Sequence, residues 1–179
     1  AAYPHIPTQI IVTGEPPYPN RKVCSLDRMV KAASYDLLVM SDSDIRVTGG
    51  MLRAIAAEFQ DPHLALTTCP YRAVPGRGIW SRLEAVMMNT EFLSGILVAR
   101  MLEGMRFAVG PTTAARKRLI EAIGGFESLR DFLAEDFVLG QRAAELGFGV
   151  GLSRYVVEHR IGTSDFRANA NHRMRWVRS

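Results

Sequence analysis

The chain has 179 residues, 47% of them hydrophobic, enough for one sizeable core and expected to form a single domain over residues 1–179. Its formal charge of +4 comes chiefly from arginine, since Lys22, Lys31 and Lys117 are the only lysines. No basic run or basic–aromatic alternation offers a platform for nucleic acid, which leaves a phosphate-bearing small molecule or an anionic membrane surface as the acidic partner.

Cys24 and Cys69 stand in no metal-like spacing and read as buried thiols of a reducing compartment rather than a disulfide. The N-terminal residues lack the charged start and apolar core of a signal peptide. No stretch reads as long and apolar enough to span a bilayer. A start at Ala1 without methionine is what a segment of a larger protein would show.

Residues 9–13 read as a short strand closed by Gly14, and Pro16, Pro17 and Pro19 then force a loop. Asn20 opens a helix whose apolar face is Val23, Leu26, Val30 and Ala33. Lys22 at its start is within reach of a bound phosphate, although a solvated lysine is the ordinary reading. The apolar run of residues 35–40 reads as a strand buried on both faces. The order strand, helix, strand predicts a right-handed crossover between parallel strands.

That second strand ends in Ser41-Asp42-Ser43-Asp44-Ile45. In open α/β sheets the carboxyl ends of strands are where ligands bind. Two carboxylates one residue apart call for a cation, and a divalent metal with oxygen ligands suits them. Turn formation and helix capping would equally use acids there.

Gly49-Gly50 precedes a helix with Met51, Leu52, Ile55, Ala56 and Phe59 on one face, ended by Asp61-Pro62. Residues 64–68 read as a strand and residues 70–78 as a loop carrying Arg72 and Arg77. A long helix over residues 79–101 has apolar residues beyond one narrow stripe. It reads as a core helix or as a face that meets lipid or a greasy acceptor. Residues 107–110 read as a strand, residues 112–115 as extended, and residues 116–123 as a helix stopped by Gly124-Gly125. A helix over residues 137–146 follows Glu135 and Asp136, placing both acids in its first turn, where the dipole favours negative charge. Residues 148–152 and 155–158 read as strands, and an arginine-rich helix follows from residue 164.

Three motifs in order, Ser41-Asp42-Ser43-Asp44-Ile45-Arg46-Val47, Glu135-Asp136-Phe137 and His172-x-x-Arg175-Trp176, resemble those of membrane-associated inverting glycosyltransferases, most closely the ceramide glucosyltransferase family. Asn20-x-Lys22-Val23, Cys69-Pro70-Tyr71 and Gly124-Gly125-Phe126 are also similar to that family, so the resemblance covers nearly the whole chain. It implies an α/β, glycosyltransferase A-type (Rossmann-like) mixed sheet flanked by helices, lacking its first strands, as the catalytic domain of a larger membrane protein. It implies a UDP-sugar donor that supplies a hexose such as glucose, and a lipid acceptor such as ceramide. Hopanoid-associated bacterial relatives with a UDP-N-acetylhexosamine donor have similar motifs.

By the same resemblance Asp42 and Asp44 hold a divalent metal (Mn2+ or Mg2+) against the diphosphate, and Asp136 is the general base. Lys22, His172, Arg175 and Trp176 bind substrate, and the catalytic domain lies on the cytoplasmic side of the membrane. His172 stands where the family's closing motif more often has glutamine or arginine. An in-line displacement needs a neutralised leaving diphosphate and a base on the opposite face, which one acid pair and one separate acid supply. The residues alone do not rank Asp136 over Glu135 as that base. A dehalogenase-type phosphatase also ends a strand in Asp-x-Asp, but wants threonine or valine where Arg46 stands. A nucleotide- or lipid-binding module without turnover is the alternative outside enzymes.

Overall fold

Asn20 starts the first regular element because its side chain satisfies a donor that the helix cannot. Its Oδ1 accepts from the Val23 amide at 3.1 Å at the N-terminus of α1 (Arg21–Ala32). Its Nδ2 donates to the Phe132 carbonyl at 2.8 Å, tying the helix start to a segment 112 residues away. The computed structural model describes residues 5–162 together with 165, 166, 170 and 174.

After α1 come β1 (Leu37–Ser41), β2 (Ile45–Arg46), α2 (Met51–Glu58), β3 (Leu64–Thr68) and β4 (Tyr71–Val74). A long helix follows as α3 (Ile79–Met87), a π turn (Met88–Phe92) and α4 (Leu93–Glu103). The chain continues through β5 (Thr112–Arg116), α5 (Lys117–Ala122), a 3-10 turn (Phe126–Leu129), α6 (Glu135–Glu145), β6 (Gly149–Leu152) and β7 (Val157–Arg160). One mixed sheet has the order β1-β5-β3-β6, and a smaller one has the order β2-β7-β4. In the first, β5 runs antiparallel to both its neighbours while β3 and β6 are parallel.

Strand alternation divides the core in two. Leu38 and Ala115 face one cluster with Val23, Leu66, Leu119, Phe126 and Leu139. Leu37, Val39 and Ala114 face the other with Ile55, Tyr71, Met88 and Val157. Gly124 and Gly125, at φ +85° and +80°, end α5, and the Gly125 amide returns to the Ile120 carbonyl at 2.8 Å. That closure turns Phe126 into the core, where it is 1% exposed.

Several sequence expectations are corrected. Residues 9–13 are not a strand: no ladder partner meets them among the described residues, and Ile10 and Val12 are exposed. The parallel crossover therefore does not form. Among the described residues the strand before Asp42 pairs only with β5 and stands at the edge of its sheet, so its side chains reach both clusters but most are only partly buried.

Residues 107–110 are also not a strand, because Gly110 at φ +71° and Pro111 break the ladder before β5 begins. Within the expected loop of residues 70–78, Tyr71 and Ala73 are buried and Arg72 is exposed, a period-2 pattern that pairs as β4 with β7. The last strand lies two residues later than expected, at Val157–Arg160.

The helix Ile79–Glu103 is long and apolar enough to cross a membrane by length and composition, contrary to the sequence expectation. Its first half, α3 and the π turn, packs against β4. Ser81, Glu84, Ala85, Met88 and Ile96 are buried. Asn89, in the π turn, donates to the Ala73 carbonyl at 3.0 Å and accepts from the Ala73 amide at 2.8 Å. A side-chain amide thereby satisfies backbone groups of the edge strand β4.

Candidate active site

The site forms where the C-terminal end of β1 meets the N-termini of α1 and α6. The Asp42 amide donates to the Pro111 carbonyl at 2.8 Å, and its own carbonyl accepts from the Ile45 amide at 3.3 Å. These bonds fix the turn that presents Asp42 and Asp44. Lys22, one residue into α1, lies 3.3 Å from the Asp42 carboxylate and 2.9 Å from that of Glu135. A cavity of about 440 Å³ is bordered by Lys22, Asp42, Gly110, Glu135 and Asp136 at this end. It continues along the open edge of β1 against the apolar side of α1.

Asp136 borders this cavity from the first turn of α6. One carboxylate oxygen accepts from the Gly110 amide, and the other accepts from the Phe137 amide at 2.9 Å. Burial pushes the carboxyl above the ordinary aspartate range, with the neighbouring Glu135 charge adding to the rise. The two amides and Lys22 oppose that rise without cancelling it. For Lys22 burial works downward, but Glu135 first and then Asp42 outweigh it, so the ammonium is held above the usual lysine range.

The Gly110 backbone sits against Tyr71, whose phenol is raised by burial. Tyr71 in turn packs on Phe92 of the π turn, with ring centroids 5.2 Å apart, and edge-on to His159 at 5.7 Å.

Asp44 turns the other way. Its Oδ2 lies 3.1 Å from His159 Nε2, while its carbonyl accepts from the Arg160 amide at 3.1 Å. The structure thus brings Lys22, Asp42 and Asp136 to one cavity and gives Asp44 a different partner. His172, Arg175 and Trp176 lie outside the described residues.

Sequence reasoning missed the Lys22–Glu135 pair and had no signal for His159. The alternation of β7 places His159 beside Asp44 only once the register with β2 is known. The carboxylates of Asp42 and Asp44 are oxygen donors of the kind a hard divalent cation takes. No three His, Cys, Asp or Glu side chains converge on one point among the described residues. A metal here would take the rest of its ligands from diphosphate oxygens and water. Both cysteines are free and buried, and burial pushes the Cys69 thiol up to about 11.

The whole chain, residues 1–179, matches the family model described as Glycosyl transferase family 21. Ceramide glucosyltransferase 1 of Caenorhabditis elegans is 25% identical over 178 residues, covering 98% of this chain and 38% of that protein. Ceramide glucosyltransferase 3 of the same organism is 21% identical over 177 residues, with the same coverage of each. The chain thus spans 38% of the length of the curated relatives it matches.

Among solved structures, a mannosyltransferase of Pyrobaculum calidifontis in complex with GDP-Man and Mn2+ superposes with a TM-score of 0.65 at 17% identity, over 88% of this chain and 41% of that one. Glucosyl-3-phosphoglycerate synthase of Mycobacterium tuberculosis, in complex with Mg2+ and UDP, gives 0.50 at 15% identity, over 87% of this chain and 50% of that one. These likenesses show the fold, a glycosyltransferase A-type arrangement of mixed sheets flanked by helices. By the match along its whole length, the chain belongs to glycosyl transferase family 21.

Proposed function

We propose that this chain carries the catalytic centre of an inverting, membrane-associated glycosyltransferase that moves a hexose, glucose in the first instance, from a UDP-sugar to the hydroxyl of a lipid such as ceramide. Asp136 takes the proton of the acceptor hydroxyl while that oxygen bonds to the anomeric carbon and the bond from this carbon to the diphosphate oxygen breaks. A single displacement inverts the anomeric centre and releases UDP. Asp42 and Asp44 would hold a divalent metal, which when bound neutralises charge on the leaving diphosphate. Lys22 adds a cation at the same mouth. His172, Arg175 and Trp176 are assigned to substrate by their motif, with the catalytic domain on the cytoplasmic side.

The observation that supports this reading best is Asp136. A partly buried carboxylate raised in pKa, oriented by two amides, borders the same cavity as Lys22 and Asp42. The test is transfer from UDP-glucose to a fluorescent short-chain ceramide in Mn2+, alongside calorimetric UDP binding. Asp136→Asn is expected to lose about 10²–10⁴-fold in transfer, the usual worth of a general base, and to keep UDP affinity. Transfer within a few-fold of the unsubstituted chain would refute the assignment of the base.

A further inference from the structure

The outer face of the long helix is apolar and, beyond Trp80 at its start, exposed. Ile79, Leu83, Val86, Met101 and Leu102 are each between 50% and 77% exposed. At its start Trp80 stacks at a tilt on Phe166, centroids 5.0 Å apart, and both rings are at least one-third exposed. Exposed Arg77, Arg82, Arg100 and Arg106 lie along the helix and at its ends, against exposed Glu91 and Glu103. No described partner forms an ion pair with any of those four arginines. Apolar side chains facing outward, an aromatic pair at one end and a surplus of arginine are the features of a helix lying in a membrane interface.

We propose that Ile79–Glu103 is an in-plane anchor that seats this chain on an anionic lipid bilayer. The charge surplus selects the anionic headgroup, and the apolar stripe enters the acyl boundary beneath it. A spanning orientation conflicts with the packing. Ser81 Oγ accepts from the Gly76 amide at 2.6 Å, Asn89 clasps Ala73, and Met88 is buried, so the inner face of the first half of the helix is committed to the protein, with Ile96 buried beyond it. Glu84 is buried on that same face. The anchor also reaches the candidate site, because Phe92 of its π turn packs on Tyr71, which touches Gly110. The inference rests on the helix face alone and stands or falls separately from the transferase reading.

Co-sedimentation of the 179-residue chain with vesicles tests it, comparing phosphatidylcholine alone with phosphatidylcholine containing 30% phosphatidylglycerol. Binding is expected to the anionic vesicles and to fall at least tenfold in the double variant Val86→Glu/Met101→Glu. Both positions are exposed, and circular dichroism would confirm that the fold is kept. Arg82→Gln/Arg100→Gln is expected to lose roughly fivefold per arginine, on anionic vesicles only. The proposal is overturned if the chain stays in the supernatant, or if Val86→Glu/Met101→Glu binds as before. Retention through an alkaline carbonate wash would also overturn it in favour of a spanning helix. So would a dimer in solution that the same double substitution dissolves, since a second copy would then be what covers the face.

Discussion

Gly110 is the position where backbone geometry and the candidate base meet, and Gly110→Ala puts a number on that coupling. The residue sits at φ +71°, a region that costs an L side chain about 1–2 kcal/mol. A Cβ there would also stand 2.9 Å from the Tyr71 ring. That ring is 4% exposed and hemmed by Phe92 and His159, so it has little room to yield. Overpacking of this kind adds about 1–3 kcal/mol.

The sum, about 2–5 kcal/mol, corresponds to a fall in Tm of roughly 4–20 °C for a chain of this size. Gly14→Ala is the control, because Gly14 has φ +61° but nothing within 4 Å of its Cβ, so only the backbone cost applies. Differential scanning calorimetry of both variants isolates the Tyr71 contact, and Tyr71→Leu in the Gly110→Ala background should recover part of the loss. If Gly110→Ala is no less stable than Gly14→Ala, the packing argument is wrong. If it is less stable but UDP-glucose transfer per folded molecule is unchanged, the Gly110 amide does not orient Asp136.

A Cβ on Gly140 would meet the Ala108 amide nitrogen at 2.1 Å and the Phe107 carbonyl carbon at 2.3 Å, backbone that cannot swing aside. Gly140→Ala is therefore expected to unfold the chain or cost more than Gly110→Ala, as read by urea denaturation. Lys22→Ala strands the nearly buried Glu135 carboxylate. The fully buried figure of about 3–5 kcal/mol must be discounted for Lys22's 40% exposure, giving about 1–2 kcal/mol and a Tm lower by roughly 2–8 °C. A raised Asp136 is protonated up to a higher pH than an ordinary aspartate, so transfer activity should rise with pH through a limb above the ordinary value of 3.8. Glu135→Gln removes a like charge from its neighbour, so that limb should move down; a limb that stays put would separate Asp136 from catalysis.

Local rules carried the sequence a long way at certain residues. Asn20 as a cap, the strand delivering Asp42, the Gly124-Gly125 stop and the acids opening α6 each depend on a few neighbouring positions. What failed depended on partners elsewhere in the chain. Residues 9–13 have the composition of a strand but no ladder to join. Tyr71-Arg72-Ala73 alternates clearly, yet Pro70 and Pro75 made it read as loop until β7 supplied the pairing. The Lys22–Glu135 pair spans 113 residues, and the His159–Asp44 contact depends on a two-residue bridge between β2 and β7. No local pattern encodes either. The long helix reads as ambiguous between core and lipid-facing, and the structure buries Ser81, Ala85, Met88 and Ile96 while leaving Leu83, Val86 and Met101 exposed.

Glu135 and Asp136 are adjacent carboxylates in different surroundings, which the residues alone could not distinguish. Lys22 is nearest to Glu135 and Asp42, so its charge is largely taken up by those two. Asp136 receives neutral amides instead, which orient the carboxylate without supplying a full counter-charge. Had the ammonium lain on Asp136, its pKa would have dropped and its appetite for a hydroxyl proton with it. Burial combined with a neutral donor set leaves the carboxylate ionisable but basic, while Glu135 serves as the anchor that keeps Lys22 at the mouth. That division supports Asp136 as the base and predicts that exchanging the two side chains, Glu135→Asp with Asp136→Glu, would not preserve activity even though composition and charge are unchanged.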